Sequence, residues 1–191
     1  MRVLALLVAA TALVVVIVVG LSQAGRGDQP ETAAPRFDLG DAQQRLQGAP
    51  APLSELHEQA NALLTSSEFE DQLDELEGTP VVINKWASWC GPCRAEFPIF
   101  QRVATDRGKD VAFLGLNAAD KRPAAQEFLT ERPLPYPSYD DPDEDIASDL
   151  RAAKYFPMTV FVDPKGEIAF VKAGEYKSPA DLNADIDRYL G

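Results

Sequence analysis

The sequence predicts an α/β fold: a central mixed β-sheet flanked by helices. Three observations carry that expectation. Short apolar runs at 81–84, 111–116 and 158–162 alternate with stretches of helical spacing. Asp163-Pro164-Lys165-Gly166 then joins 158–162 to a returning strand at 167–172, with Pro and Gly placed as a tight turn requires. Finally, 46% hydrophobic and 25% charged residues supply a real core. Strand–helix alternation closed by a hairpin gives a sheet of mixed direction with helices on both faces.

The elements follow in chain order. Residues 3–21 carry no charged side chain and are apolar all round. At 1.5 Å per residue that run is roughly 28 Å long, about one bilayer core. Arg2 before it orients the N-terminus to the cytoplasm, leaving the rest outside. Residues 1–21 therefore read as a membrane anchor or a signal segment, since Ser22-Gln23-Ala24 also suits cleavage. Residues 22–52, rich in Gly, Pro, Ala and Gln, read as a flexible linker that has room for a short helix around 41–47. The domain is expected over 53–191, with its core at 66–191.

Leu53, Leu56, Ala60, Leu63 and Leu64 have helical spacing, as do Phe69, Leu73 and Leu76. They predict two acidic amphipathic helices as an N-terminal extension, with His57 on the surface. After the strand at 81–84, which extends through Lys85 and Trp86, a helix is expected from Pro92 to Gly108, kinked by Pro98. A helix at 123–132 and a short strand or extended loop at 136–139 form an inserted unit. Helices at 143–154 and from Pro179 onward complete the chain. The acidic group Asp140, Asp141, Asp143, Glu144 and Asp145 lacks the spacing of a calcium loop and reads as helix capping.

Charge and cysteine content narrow the function. A net charge of −12 argues against nucleic-acid binding. Two cysteines and one histidine cannot complete a Cys-rich zinc site, so no metal is expected. The two cysteines form Cys90-Gly91-Pro92-Cys93 at a strand-to-helix junction. There the free N–H groups of the first turn stabilise a thiolate on Cys90, while Cys93 lies one turn deeper. An attacking and a resolving thiol are what disulfide exchange needs. A purely structural bridge over so short a loop would stabilise little.

The run Trp86-Ala87-Ser88-Trp89-Cys90-Gly91-Pro92-Cys93 resembles the active site of the thioredoxin superfamily. Pro98, the Phe156-Pro157-Met158-Thr159 loop and the 163–166 turn extend the likeness across roughly residues 66–191. The inserted helix and strand, with Glu96 three residues after Cys93, resemble the extracytoplasmic TlpA, ResA and DsbE group. The resemblance implies a thioredoxin-like fold and a thiol–disulfide oxidoreductase whose only redox group is the Cys90–Cys93 disulfide, with no cofactor. It implies that Cys90 is the nucleophile, Cys93 the resolving thiol and Glu96 a proton partner of Cys93. It also implies a cis peptide at Pro157 and a substrate surface of Trp89, Gly91, Pro92, Phe156 and Pro157, with Trp86 in the core. The expected partners are protein thiols and disulfides, with a membrane electron donor of the CcdA/DsbD type if the protein reduces, as in cytochrome c maturation. A disulfide-donating oxidase is the alternative direction. The chain is expected to act as a monomer.

The sequence also departs from the pattern. Asn84 stands where thioredoxin has a buried aspartate, so proton transfer falls to Glu96 or water. Lys85 replaces an aromatic in a buried strand; either its amine reaches solvent or it adds positive charge near the site. Phe156 is bulky before the cis-proline. A peroxiredoxin-type peroxidase would need Thr or Ser where Ala87 stands, and an intact Cys-Gly-Pro-Cys argues against a purely binding role.

Overall fold

The computed structural model describes residues 37–191. The expected anchor at 1–21 and residues 22–36 of the linker lie outside the described residues. Among those described, no helix is long and apolar enough to cross a membrane.

Six strands form one mixed sheet in the order β1-β4-β3-β2-β5-β6. They are β1 (Leu63–Leu64), β2 (Val81–Trp86), β3 (Ala112–Ala118), β4 (Ser138–Asp141), β5 (Met158–Val162) and β6 (Ile168–Ala173). β1 to β4, β4 to β3 and β3 to β2 are parallel; β5 runs antiparallel to β2 and β6 to β5. The expected hairpin closes with the Gly166 N–H on the Asp163 carbonyl at 2.9 Å, and Gly166 takes φ 79°. That backbone conformation favours glycine.

The helices are α1 (Leu39–Leu46), α2 (Leu53–Glu58), α3 (Phe69–Glu75), α4 (Gly91–Arg107), α5 (Arg122–Glu131), α6 (Asp145–Asp149) and α7 (Pro179–Tyr189). β2 is buried along its whole length, and its alternation feeds two cores. Val82 and Trp86 join Phe97 and Phe100 of α4, Phe128 of α5 and Ile186 of α7. Val81 and Ile83 join Leu53 and Leu56 of α2, Phe69 of α3 and Ala147 of α6. Helices therefore cover both faces, as expected.

Gly115 marks a close approach at the sheet centre. A Cβ there would meet Ser138 Oγ at 2.1 Å and Trp86 Nε1 at 3.0 Å. The bare backbone lets Trp86 Nε1 donate to Ser138 Oγ at 3.3 Å. This fixes the indole that ends β2, directly before the cysteine loop.

Four sequence expectations need correction. The linker does not extend to 52: α1 buries Ala42 and Leu46, packs on α4, and is capped by Asp38 accepting from the Asp41 N–H. Leu39, Ala42 and Leu46, each about one turn apart, are a weak signal within a Gly/Pro/Gln-rich stretch. The first acidic helix stops at Glu58, and Leu63–Leu64 form a strand instead of its last turn. Asn61 breaks it at φ 63°, with its side chain bridging the Leu129 carbonyl and the Leu134 N–H. The parallel partner β4 then overrides helical spacing. His57 is half-buried rather than a free surface residue, with Nε2 against Gly108; burial lowers its pKa. The helix expected over 143–154 shrinks to α6, because Arg151 and Lys154 adopt left-handed backbone at φ 58° and 82°.

Leu46→Ala tests whether α1 belongs to the fold. Deleting this buried side chain should lower the unfolding free energy of the full chain by about 2–4 kcal/mol, read from urea denaturation. An unchanged midpoint would return residues 37–46 to the linker.

Candidate active site

The site stands where β2 ends and α4 begins. Ala87 to Cys90 form the connecting loop, and Cys90 is the N-cap of α4, with its Sγ accepting from the Cys93 N–H at 3.1 Å. Pro92 occupies the first turn, where no intrahelical donor is lost. Cys90 and Cys93 are joined, with Cα atoms 5.3 Å apart. Cys90 is 4% exposed and Cys93 fully buried, so any attack must come through the Cys90 side. Gly91 and Pro92 are exposed beside it. The N–H on Cys90 Sγ, with the helix N-terminus behind it, is placed to stabilise negative charge on that sulfur when the bond opens.

The connecting loop is held from the side by Asp120. Its carboxylate accepts from the Ser88 N–H at 2.5 Å, from Ser88 Oγ at 3.0 Å and from Asn117 Nδ2 at 3.0 Å. Trp89 Nε1 donates to the Ala119 carbonyl at 3.0 Å, yet the residue is 60% exposed. Nothing in the sequence marked Asp120, because Ser88, the loop residue it holds, is 32 positions away. Trp89 leans on Phe156 with ring centroids 5.0 Å apart. Phe156 is half-buried against the core that holds the cysteines, and the Phe156–Pro157 bond is cis, as expected. Trp86 is fully buried and packs edge-on to Phe97 at 5.2 Å.

Glu96 lies three residues beyond Cys93 on the same face of α4. It is fully buried, not a solvent-facing carboxylate. Asn84 Nδ2 donates to its Oε1 at 2.7 Å, and the Tyr176 N–H donates to its Oε2 at 3.0 Å. Burial pushes its pKa up to about 7, against the opposing pull of the Tyr176 and Asn84 hydrogen bonds. Asn84 thus orients the carboxyl without competing for its proton. The Tyr176 contact joins positions far apart in sequence and had no sequence signal.

The one cation of β2, Lys85, does not reach solvent. It is fully buried, and its Nζ donates to Glu144 Oε1 at 2.5 Å. Of the acidic group around Glu144, Asp141 accepts from the N–H groups of Ile146 and Ala147, as capping requires, whereas Asp140 pairs with Arg122 at 3.1 Å.

The comparisons agree with this geometry. The Redoxin family model matches residues 46–186. The thiol-disulfide oxidoreductase ResA of Oceanobacillus iheyensis is 33% identical over 104 residues, covering 54% of each chain. The chain thus spans only about half the length of that relative. The thiol:disulfide interchange protein DsbE of Tatumella citrea is 33% identical over 142 residues, 74% of this chain and 69% of that one. A secreted thiol-disulfide isomerase from Corynebacterium glutamicum superposes with TM-score 0.54 at 30% identity, covering 62% of this chain and 72% of that one.

Glu96 gives a pH prediction. Its ordinary pKa of 4.5 rises to about 7 on folding, so the folded protein holds the proton more tightly than the unfolded chain. The associated stability is complete below about 4.5 and is lost as pH rises through about 7. Relative to Glu96→Gln, the wild type should lose about 3 kcal/mol of unfolding free energy between pH 4 and 8. Parallel profiles for the two proteins would show that the carboxyl titrates normally. By sequence match, fold and cysteine geometry, the chain belongs to the Redoxin family, and its relatives include thiol–disulfide oxidoreductases of the ResA and DsbE kind.

Proposed function

We propose that the protein is a thiol–disulfide oxidoreductase that exchanges disulfides with protein cysteines outside the cytoplasm, acting as a reductase. The observation that carries the reading is the Cys90–Cys93 pair at the α4 N-terminus, with the buried Glu96 on the same helix face. The names of the ResA and DsbE relatives support the chemistry. The uncharged run at 3–21 supports a membrane tether, and the secreted Corynebacterium glutamicum relative supports the compartment.

In the reducing direction, the Cys90 thiolate attacks one sulfur of a substrate disulfide. That bond breaks, the other substrate sulfur leaves as a thiolate and takes up a proton, and a mixed disulfide forms. Cys93 then loses its proton to Glu96 and attacks Cys90 Sγ. The second substrate thiolate departs, the Cys90–Cys93 bond forms, and two electrons have passed to the substrate. A carboxyl titrating at about 7 accepts and returns a proton near neutral pH. Asn84 cannot take that part. The loop before Pro157, with Trp89, Gly91 and Pro92, receives an extended substrate segment. Electrons return from a dithiol on a membrane partner of the CcdA/DsbD type, and apocytochrome c is a substrate of fitting chemistry. The chain acts as a monomer.

Cys93→Ala stops the second attack. It should accumulate mixed disulfides through Cys90 in the native host, visible as thiol-sensitive adducts on non-reducing gels. Absence of adducts would remove the exchange reading. The reduction potential sets direction: a value near thioredoxin's, about −270 mV, fits reduction. One near DsbA's, about −120 mV, would assign the protein as a disulfide donor instead.

A further inference from the structure

We propose that Lys85 is a positioning residue for substrate recognition: its buried ammonium pins the loop preceding Pro157 and sets the aromatic wall of Phe156 and Trp89 beside the disulfide. The proposal rests on the exchange reading above and assigns the residue that shapes the substrate face of that site.

The ammonium has a complete set of partners. Besides Glu144 Oε1, Nζ donates to the Ala152 carbonyl at 3.0 Å and the Tyr155 carbonyl at 3.3 Å. It also lies 3.9 Å from the centroid of the Phe156 ring. Three N–H donors meet three oxygens, and the charge sits over an aromatic face. A fully buried cation is kept only when it is paired and hydrogen-bonded throughout. Here every partner belongs to one segment, the stretch from Glu144 to Phe156 that leads into Pro157.

That segment has its own reason to need a pin. Glu144, Arg151 and Lys154 are non-glycine residues at φ 60°, 58° and 82°. Such backbone costs free energy and persists only where the surroundings hold it. Lys85 reaches Glu144 at one end of the stretch and the carbonyls of Ala152 and Tyr155 at the other. A rigid strand, fully buried and paired on both sides, thereby fixes an otherwise irregular loop.

The consequence reaches the surface. Phe156 touches the ammonium with one part of its environment and Trp89 with another. Trp89 and Tyr155 are the large apolar side chains left exposed among the described residues. Trp89 sits in the cysteine loop, and Tyr155 directly precedes Phe156 in the chain. A protein segment presenting a cysteine to Cys90 must pass along the wall of Trp89 and Phe156, whereas a small dithiol need not. Lys85 therefore acts on binding of a polypeptide and not on the sulfur chemistry.

The test compares two reagents on the oxidised full-length chain: a reduced, unstructured peptide carrying two cysteines, and dithiothreitol. Lys85→Met keeps the stem and removes the charge. It should raise the half-saturating peptide concentration about tenfold, with the limiting rate and the dithiothreitol rate changed by less than about twofold. Glu144→Gln, at a partly exposed position, should move the peptide value in the same direction by about threefold. It decides the matter if Lys85→Met does not fold. An unchanged half-saturation, or equal slowing with both reagents, overturns the proposal while leaving exchange intact. A wild-type chain inert to dithiothreitol overturns both readings.

Discussion

The structure hangs on one constraint: β2 is buried on both faces and yet carries two adjacent polar residues near its end. Asn84 and Lys85 point to opposite sides of the sheet because side chains alternate along a strand. Each must find partners within the interior, since an unpaired buried polar group costs several times what a made hydrogen bond contributes. Asn84 finds Glu96 on α4. Lys85 finds Glu144 and the carbonyls of the loop before Pro157. The two walls of the site, helix and loop, are thus tied to the same strand within one residue of each other.

That arrangement explains how a short irregular segment can flank a reactive centre without fraying. The cysteine loop is held by Asp120 below Ser88 and by the Ala119 carbonyl at Trp89. The opposite segment is held by Lys85. Neither contact involves the sulfurs, so Cys90 and Cys93 can change their bonding while the backbone around them stays fixed. Rigid support under a changing centre is how a binding geometry survives successive chemical steps.

Much of this was legible in the sequence, and the rest was hidden for physical reasons. The mixed sheet, the terminal hairpin and the strand-to-helix junction at Cys90 follow from local spacing and turn chemistry, and the structure holds all three. The exposure of Trp89 and the burial of Trp86 also match. What local reading loses is whatever a distant partner decides. Leu63 and Leu64 keep helical spacing but become a strand because Ser138 and Tyr139 pair with them. Residues 150–154 follow a helical pattern but yield to the carbonyl contacts of Lys85 and the left-handed turns at Arg151 and Lys154. Lys85 itself was readable as an anomaly in a buried strand, while its partners, roughly sixty to seventy positions away, were not.

The opposite fates of Glu96 and Lys85 divide the work of the site. Both are charged residues taken wholly out of water, one on each side of β2. Glu96 is held by neutral donors only, Asn84 Nδ2 and the Tyr176 N–H, so burial keeps its proton affinity high and its charge changeable near neutrality. Lys85 is held by a carboxylate, two carbonyls and an aromatic face, which together fix the position of its ammonium. A set of neutral partners leaves the Glu96 carboxyl near the neutral range; a set spread along one segment lets the Lys85 ammonium tie that segment to β2. The acidic surface of the chain is no substitute for either, because screening by solvent removes the selectivity that burial creates. The same strand therefore holds the buried carboxyl of α4 on one face and the loop before Pro157 on the other.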